Sequence, residues 1–166
     1  MRAYCFAGLI LWSLSSLLPM GRVEAAVIRL APEFGFPGAG NKVQTLRSLR
    51  GQSVVLLIAK NPENRSLRRQ AKYLKEIYEQ FASKKVVFVA ALGSGTGSIQ
   101  SDIPFVVASN GPAVASAYGV QGDFNLVIIG KDGNVDYQTN KVCSPERVRD
   151  VIQNSFEVQE TARKGQ

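Results

Sequence analysis

Histidine is absent from this chain of 166 residues, and cysteine occurs only at Cys5 and Cys143. Because Cys and His are the usual ligands of structural zinc, such a site cannot be built, and we predict no metal and no cofactor. Hydrolases with a histidine base are excluded for the same reason. Cys5 lies in a segment that we expect to be removed, so Cys143 would remain as the one thiol, without an internal disulfide.

Charged residues are scarce at the start of the chain. Arg2 is followed by an apolar run from Phe6 to Leu18 that only serines interrupt. This pattern predicts a signal peptide over residues 1–25, cleaved after Ala25 or Ala26. An uncleaved anchor is the alternative, although a spanning helix needs about 20 apolar residues. We expect export to the periplasm or secretion, with no stable membrane anchor after cleavage.

Acidic residues are fewer than basic ones, 13 against 20, and the formal net charge is +7. Removal of the signal peptide would take away two arginines and one glutamate and leave +6. Charges of both signs are mixed along the remainder, which favours a solvated surface over a nucleic-acid partner. The remaining length of about 140 residues suits one domain, predicted over 26–156 with a polar tail over 157–166.

Long hydrophobic runs occur at Val54–Ala59 and Val86–Leu92, and each is typical of a strand buried on both faces. The segment between them has apolar residues at helical spacing, with Ile77 at the border: Leu67, Ala71, Leu74, Tyr78 and Phe81. Strand, helix and strand predict a right-handed βαβ unit. The loop Lys60–Asn64 lies where open α/β folds place their chemistry, because free N–H groups of the helix point there.

The rest of the chain has weaker patterns. Ahead of the unit we predict an edge strand at Val27–Leu30, an irregular loop at 31–40 and one helical turn at 45–51. After it we predict a glycine-rich loop at Gly93–Ser98, a strand at Ile103–Ala108, a helix that Asn110-Gly111-Pro112 starts and that runs to Tyr118, and a hairpin of Asn125–Ile129 with Val135–Gln138. A last helix starts at Ser144, and its buried face is predicted to carry Val148, Val151, Ile152 and Phe156. The glycine spacing in the loop does not match a dinucleotide fingerprint.

Three segments resemble the peroxiredoxin and exported thioredoxin-like families. Ala31–Phe34 with Leu46–Leu56 is similar to their opening "APdF…sLrGk-vvL". Ala117–Val120 is similar to "aYgv", and Gly122–Gly133 to "GtPttflIdrdG". The resemblance implies an α/β, thioredoxin-like fold with a central mixed sheet and helices on both faces.

The residues that carry redox chemistry in these families are missing here. Thioredoxins place C-x-x-C, and peroxiredoxins P-x-x-x-T-x-x-C, in the region where this chain has Asn61–Ser66. The cis-proline of the family aligns with Phe124, and no arginine precedes that strand. Disulfide exchange requires a thiolate, for example at a helix N-terminus, and neither asparagine nor serine replaces it.

The leading hypothesis is an exported, redoxin-like but non-catalytic domain that binds a protein or peptide. Its binding surface would combine the Lys60–Ser66 loop, the Asp123–Asn125 turn and the Gly93–Ser98 loop, with an exposed Phe124 as an apolar anchor. The candidate binding residues are Asn61, Pro62, Asn64, Arg65, Arg68, Arg69, Asp123 and Phe124.

Other interpretations remain open. A thiol oxidoreductase or peroxiredoxin-like enzyme would have to act through Cys143, which could also join two chains in a disulfide-linked dimer. A buried, unreactive cysteine is the simpler interpretation of that residue. The basic side of the central helix is either an anion- or nucleotide-binding face or a solvated surface: Arg65, Arg68, Arg69 and Lys72. Asn64-Arg65-Ser66 also matches a glycosylation acceptor.

Overall fold

The computed structural model describes residues 29–38, 40, 42–81, 85–94 and 98–164. The strands are β1 (Arg29–Leu30), β2 (Gly35–Pro37), β3 (Val43–Thr45), β4 (Ser53–Ala59), β5 (Val86–Leu92), β6 (Val106–Val107), β7 (Phe124–Ile129) and β8 (Asn134–Thr139). The helices are α1 (Arg65–Phe81), α2 (Gly111–Ala117) and α3 (Pro145–Lys164), and Leu46–Leu49 form a 3₁₀ turn. The predicted signal peptide lies outside the described residues, as do Val27 and Ile28 of the predicted edge strand.

Six strands form one mixed sheet in the order β1-β8-β7-β4-β5-β6. β4 and β5 are parallel, as are β5 and β6, whereas β7 runs antiparallel to β4 and β8 antiparallel to β7. The central β4-α1-β5 unit predicted from the two hydrophobic runs is confirmed. β2 and β3 form a separate antiparallel ribbon.

Two hydrophobic cores cover the two faces of the sheet. On one face, α1 and α3 contribute Leu74 and Ile152, which pack with Leu57 of β4. On the other face, Val114 of α2 packs with Leu56 of β4 and with two aromatic residues that precede β3, Phe34 and Phe36. Because side chains alternate between faces along a strand, both faces of β4 need apolar residues. The predicted mixed sheet with helices on both faces is confirmed.

Two short strands differ from the predicted pattern. Gly35–Pro37 was expected to be irregular, but these residues pair with Val43–Thr45 in the β2–β3 ribbon. The predicted strand Ile103–Ala108 is reduced to Val106–Val107, at the edge of the sheet. Pro104 has no N–H for a ladder and lies ahead of the paired residues, which is consistent with the later start.

The buried face of α1 also differs in detail. Ile77 is 2% exposed, whereas Tyr78 is only partly buried, so their predicted positions are exchanged. Gln70, which no pattern singled out, is fully buried on the same face.

The last helix is longer than its apolar positions indicated. α3 continues to Lys164, through most of the segment 157–166 that was predicted as a polar tail. The side chain of Phe156, predicted to be buried, lies outside the described residues. Within the described ranges, no helix combines the length and the apolar character that crossing a membrane requires.

Candidate functional site

The start of α1 is capped by the side chain of Asn64. Its Oδ1 accepts hydrogen bonds from the backbone N–H groups of Ser66 at 2.9 Å and Leu67 at 3.1 Å. Asparagine is among the preferred residues at this position, because its side chain satisfies N–H groups that have no partner within the helix. The expectation of free N–H groups at this helix start is therefore wrong for these two.

Asn64 also joins α1 to the start of β7. Its Nδ2 donates to the carbonyl oxygen of Asp123 at 3.1 Å, and the backbone N–H of Lys60 donates to the same oxygen at 3.1 Å. Lys60 Nζ lies 4.0 Å from Asp123 Oδ1, and both side chains are exposed. The two loops that were predicted to form one surface are thus adjacent.

These loops border a depression that we call the α1 cleft. Its lining residues are Asn64, Arg65, Ser66, Gln121, Gly122, Asp123, Phe124 and Asn140. Four of the predicted binding residues lie here, whereas Asn61 and Pro62 precede the cleft and do not line it. Gln121 and Asn140 were not predicted, because they come from the segments before β7 and after β8.

Phe124 is buried and cannot be the exposed anchor that we expected. Its side chain is only 4% exposed and belongs to the core beneath α1. Phe124 pairs with Ala59 in the sheet register, and its side chain points to the same face as those of Leu126 and Ile128. An apolar side chain on this face is covered by α1, so Phe124 contributes to the floor of the cleft.

A second depression, the α1 groove, lies further along the same helix. It is lined by Arg68, Ala71, Lys72, Lys75, Gln100, Ser101 and Asp102. Lys75 Nζ lies 2.5 Å from Asp102 Oδ2. The hydrogen bond and the positive charge of Lys75 lower the pKa of the Asp102 carboxyl.

Four cations form what we call the basic stripe of α1: Arg65, Arg68, Arg69 and Lys72. All four are exposed, and none has a carboxylate within 4.0 Å in the part of the chain that the structure describes. Arg65 lines the α1 cleft, whereas Arg68 and Lys72 line the α1 groove. The stripe therefore connects the two depressions, with Arg69 beside them.

Cys143 belongs to the core and lines neither depression. Its side chain is 8% exposed, and its sulfur lies 3.7 Å from the hydroxyl oxygen of Tyr137. The backbone N–H of Cys143 donates to Gln70 Oε1 at 2.7 Å, and Gln70 Nε2 donates to its carbonyl oxygen at 3.2 Å. This pair of bonds fixes the turn before α3 against α1. Sequence reasoning missed this contact; the signal that could have indicated it is the polar side chain of Gln70 on the apolar face of α1.

The glycine-rich loop begins beside the candidate site. The backbone N–H of Gly93 donates to the carbonyl oxygen of Ala59 at 2.8 Å. A Cβ atom at Gly93 would lie 3.0 Å from the carbonyl oxygen of Lys60, so the two backbones approach closely. Residues 95–97, in the middle of the predicted loop, lie outside the described residues.

Comparison with known families and curated proteins gave one match. The model of a family described as "Domain of unknown function (DUF4174)" matches residues 45–156. A search of curated proteins found no match.

Solved structures share the fold. A thiol:disulfide interchange protein of the thioredoxin family from Chlorobium tepidum TLS is 16% identical, with a TM-score of 0.62, over 78% of this chain and 97% of that one. Peroxidoxin BcpB from Mycobacterium tuberculosis is 15% identical, with a TM-score of 0.57, over 79% and 96%. BsSco, of the Sco family of cytochrome c oxidase assembly proteins, is 14% identical, with a TM-score of 0.58, over 78% and 95%.

These similarities establish a thioredoxin-like fold. The pair of catalytic cysteines that the family motif requires is absent, since Cys143 is the only cysteine after the predicted signal peptide. The prediction of a thioredoxin-like protein without these cysteines is confirmed.

Proposed function

The chain belongs to the DUF4174 family and has a thioredoxin-like fold, and from this premise we propose that it is a non-catalytic module that binds a protein or peptide. The proposed site is the α1 cleft. Export through cleavage of residues 1–25 would place the module in the periplasm or outside the cell.

The observation that carries this proposal is the role of Asn64. In redox-active relatives of this fold the start of the helix must present a thiolate, because the thiolate is the nucleophile of disulfide exchange. Here an amide occupies the start of α1, and its oxygen and nitrogen are engaged with Ser66, Leu67 and Asp123. Asn64 therefore holds the loop before α1 against Asp123, the residue that precedes β7.

The chemistry of the α1 cleft suits a polypeptide. Gln121 and Asn140 carry amides at its wall, and an amide offers both hydrogen-bond donors and an acceptor. Backbone groups of a bound peptide need partners of both kinds, since leaving them unpaired on burial costs binding energy. Arg65 adds a charged rim.

Photo-crosslinking in the source cells tests this proposal. A benzophenone amino acid at Gln121, in the wall of the cleft, is expected to give a discrete adduct with one protein, which mass spectrometry then identifies. The same probe at Glu79, exposed near the far end of α1, is the matched control and is expected to give none.

Binding of the purified partner then completes the test. Asn140→Trp should block the cleft from its exposed rim without disturbing the core, so it should weaken the interaction about tenfold or more. Equal crosslinking from Gln121 and Glu79, or unchanged binding by the tryptophan variant, would contradict a site at the α1 cleft.

Export has a separate test. Mass spectrometry of the protein recovered from the periplasm or medium should show a mature chain that begins at Ala26 or Val27. Recovery of the uncleaved chain with the membrane fraction would contradict this part of the proposal and support an N-terminal anchor.

A thiol oxidoreductase is the competing candidate, because a similar structure is that of a thiol:disulfide interchange protein. It would have to act through Cys143, whose burial argues against both turnover and a disulfide-linked dimer. Insulin-reduction and peroxide-consumption assays with the purified protein should give no turnover above buffer. Turnover that Cys143→Ser abolishes would replace the binding proposal with this one.

A further inference from the structure

We propose that the partner presents an acidic segment, whose carboxylates contact the basic stripe of α1 while its backbone enters the α1 cleft. This inference rests on the proposed function and specifies the chemistry of the partner. The observation behind it is a row of four exposed cations that begins in the cleft and has no carboxylate partner within the described part of the chain.

The stripe follows one side of the helix. Its members are separated by three, four and seven residues from Arg65, and such spacings place side chains on the same helical face. Over these seven residues the helix rises about 10 Å, because each residue adds about 1.5 Å. A short partner segment is therefore long enough to cover the whole stripe.

Unbalanced positive charge distinguishes the stripe from its surroundings. The nearby lysines Lys60 and Lys75 each have a carboxylate partner, Asp123 at 4.0 Å and Asp102 at 2.5 Å. The four stripe residues have no such partner among the described residues. A partner of opposite charge would supply the missing carboxylates, as complementary interfaces do.

An extended peptide matches this spacing. In a strand, side chains on one face recur at every second residue, about 6.6 to 6.8 Å apart. Residues one helical turn apart on the stripe rise about 5.4 Å along α1, and long side chains cover the difference. We expect two or three acidic residues at alternate positions of the partner segment.

A polypeptide fits these depressions better than a nucleic acid or a bilayer. Single-stranded nucleic acids bind through aromatic side chains that stack on bases, and among the described residues of the two linings the only aromatic one, Phe124, is buried. Interfacial membrane binding needs exposed apolar side chains, and Ala71, the one aliphatic residue among the described residues of the groove lining, is buried as well. Amide and hydroxyl groups complete the walls.

Fluorescence anisotropy with three labelled peptides tests the inference on the purified protein. The probes are (Ser-Glu)₄, (Ser-Gln)₄ and (Ser-Lys)₄. The glutamate peptide is expected to bind most tightly, and its affinity should fall as NaCl is raised, because salt screens exposed charges. A single-stranded oligonucleotide and phosphatidylglycerol vesicles serve as the competing polyanions.

Charge reversal at Arg68→Glu with Lys72→Glu should weaken binding of the glutamate peptide about tenfold or more. Lys42→Glu with Lys85→Glu makes the same change of net charge elsewhere and should leave binding within about twofold, since distant exposed charges are screened. Lys42 adjoins the β2–β3 ribbon, which packs on the opposite face of the sheet, and Lys85 precedes β5 at the opposite end. Equal losses in both double variants, or tighter binding of the oligonucleotide or vesicles, would overturn the acidic-segment proposal.

The partner identified by crosslinking separates this inference from the proposed function. If that partner binds normally to the Arg68→Glu, Lys72→Glu variant but is lost with Asn140→Trp, the cleft proposal stands and the acidic segment is wrong. If neither change affects its binding, both proposals fail.

Discussion

The side-chain amide of Asn64 makes three hydrogen bonds where α1 begins, two within the helix and one to Asp123, the residue before β7. Helix caps of this kind contribute about 0.5–2 kcal/mol to stability, and a further hydrogen bond contributes about 1 kcal/mol. Asn64 therefore stabilises both the helix start and its contact with the segment before β7.

Asn64→Ala should lower the free energy of unfolding by about 1 to 3 kcal/mol, measured by urea denaturation. Asn64→Asp keeps the acceptor and loses the donor to Asp123, so it should lose less. Asn61→Ala, at an exposed position of the same loop, is the control and should change stability by less than about 0.5 kcal/mol. An alanine variant at Asn64 as stable as this control would show that the cap is not a structural determinant.

Asp136 supplies a prediction about pH. Partial burial of its carboxyl group, in a residue that is exposed overall, raises its pKa above the ordinary value of 3.8; a hydrogen bond from Ser155 opposes this shift, and the charge of Asp132 adds to it. The folded protein thus binds a proton here more readily than the unfolded chain does. The stability from this group is present below pH 3.8 and is lost as the pH rises through the folded-state pKa.

Asp136→Asn should therefore raise the melting temperature slightly at pH 7, because solvent screens the charge of this exposed residue, and the gain should shrink as the pH is lowered to about 3.8. Calorimetry across this range measures it. Asp150→Asn, which removes an exposed carboxylate 3.7 Å from Arg149, is the control and should give no gain. A gain at Asp136 that is independent of pH would contradict the assignment to burial of its charge.

At the scale of elements, Gln70 connects α1 to the turn before α3. Its amide satisfies both backbone groups of Cys143, a residue 73 positions away, in a buried environment. A buried backbone group without a partner costs about 1–3 kcal/mol. The contact explains why a polar side chain is retained on the apolar face of α1.

Gln70→Met should lower the free energy of unfolding by about 2 to 4 kcal/mol, because two buried backbone groups lose their partner. It should also increase the rate at which a thiol reagent modifies Cys143 in the folded protein. Gln80→Met, at an exposed position of the same helix, is the control. Unchanged stability together with rapid modification of Cys143 in the unaltered protein would show that the turn is already open.

The sequence predicted those elements whose signals are local. β4, β5 and α1 follow from two hydrophobic runs and a helical periodicity, and their order placed the site at the start of α1. The partners of Gln70 and the burial of Phe124 depend on strand register and on residues far away in the chain. No local pattern encodes such contacts, so the burial of Phe124 beneath the cleft and the partners of Gln70 could be learned only from the three-dimensional structure.

At the scale of the whole molecule, a thioredoxin-like fold is combined with a central helix whose first turn carries no thiol. The start of α1 is capped by Asn64, and the remaining thiol is buried behind the same helix. What stays accessible is a cleft with amide walls and a row of cations leading from it. These features are the basis of the proposal that the protein binds a partner at the α1 cleft.

A partner site at the α1 cleft is tested by the dissociation constant of the crosslinked partner, compared between two variants of the purified protein. We expect Asn140→Trp, which fills the α1 cleft, to weaken binding about tenfold or more, and Cys143→Ser to leave it within about twofold. The reverse result, binding lost with Cys143→Ser and unaffected by Asn140→Trp, would contradict a partner site at the α1 cleft and assign the interaction to thiol chemistry.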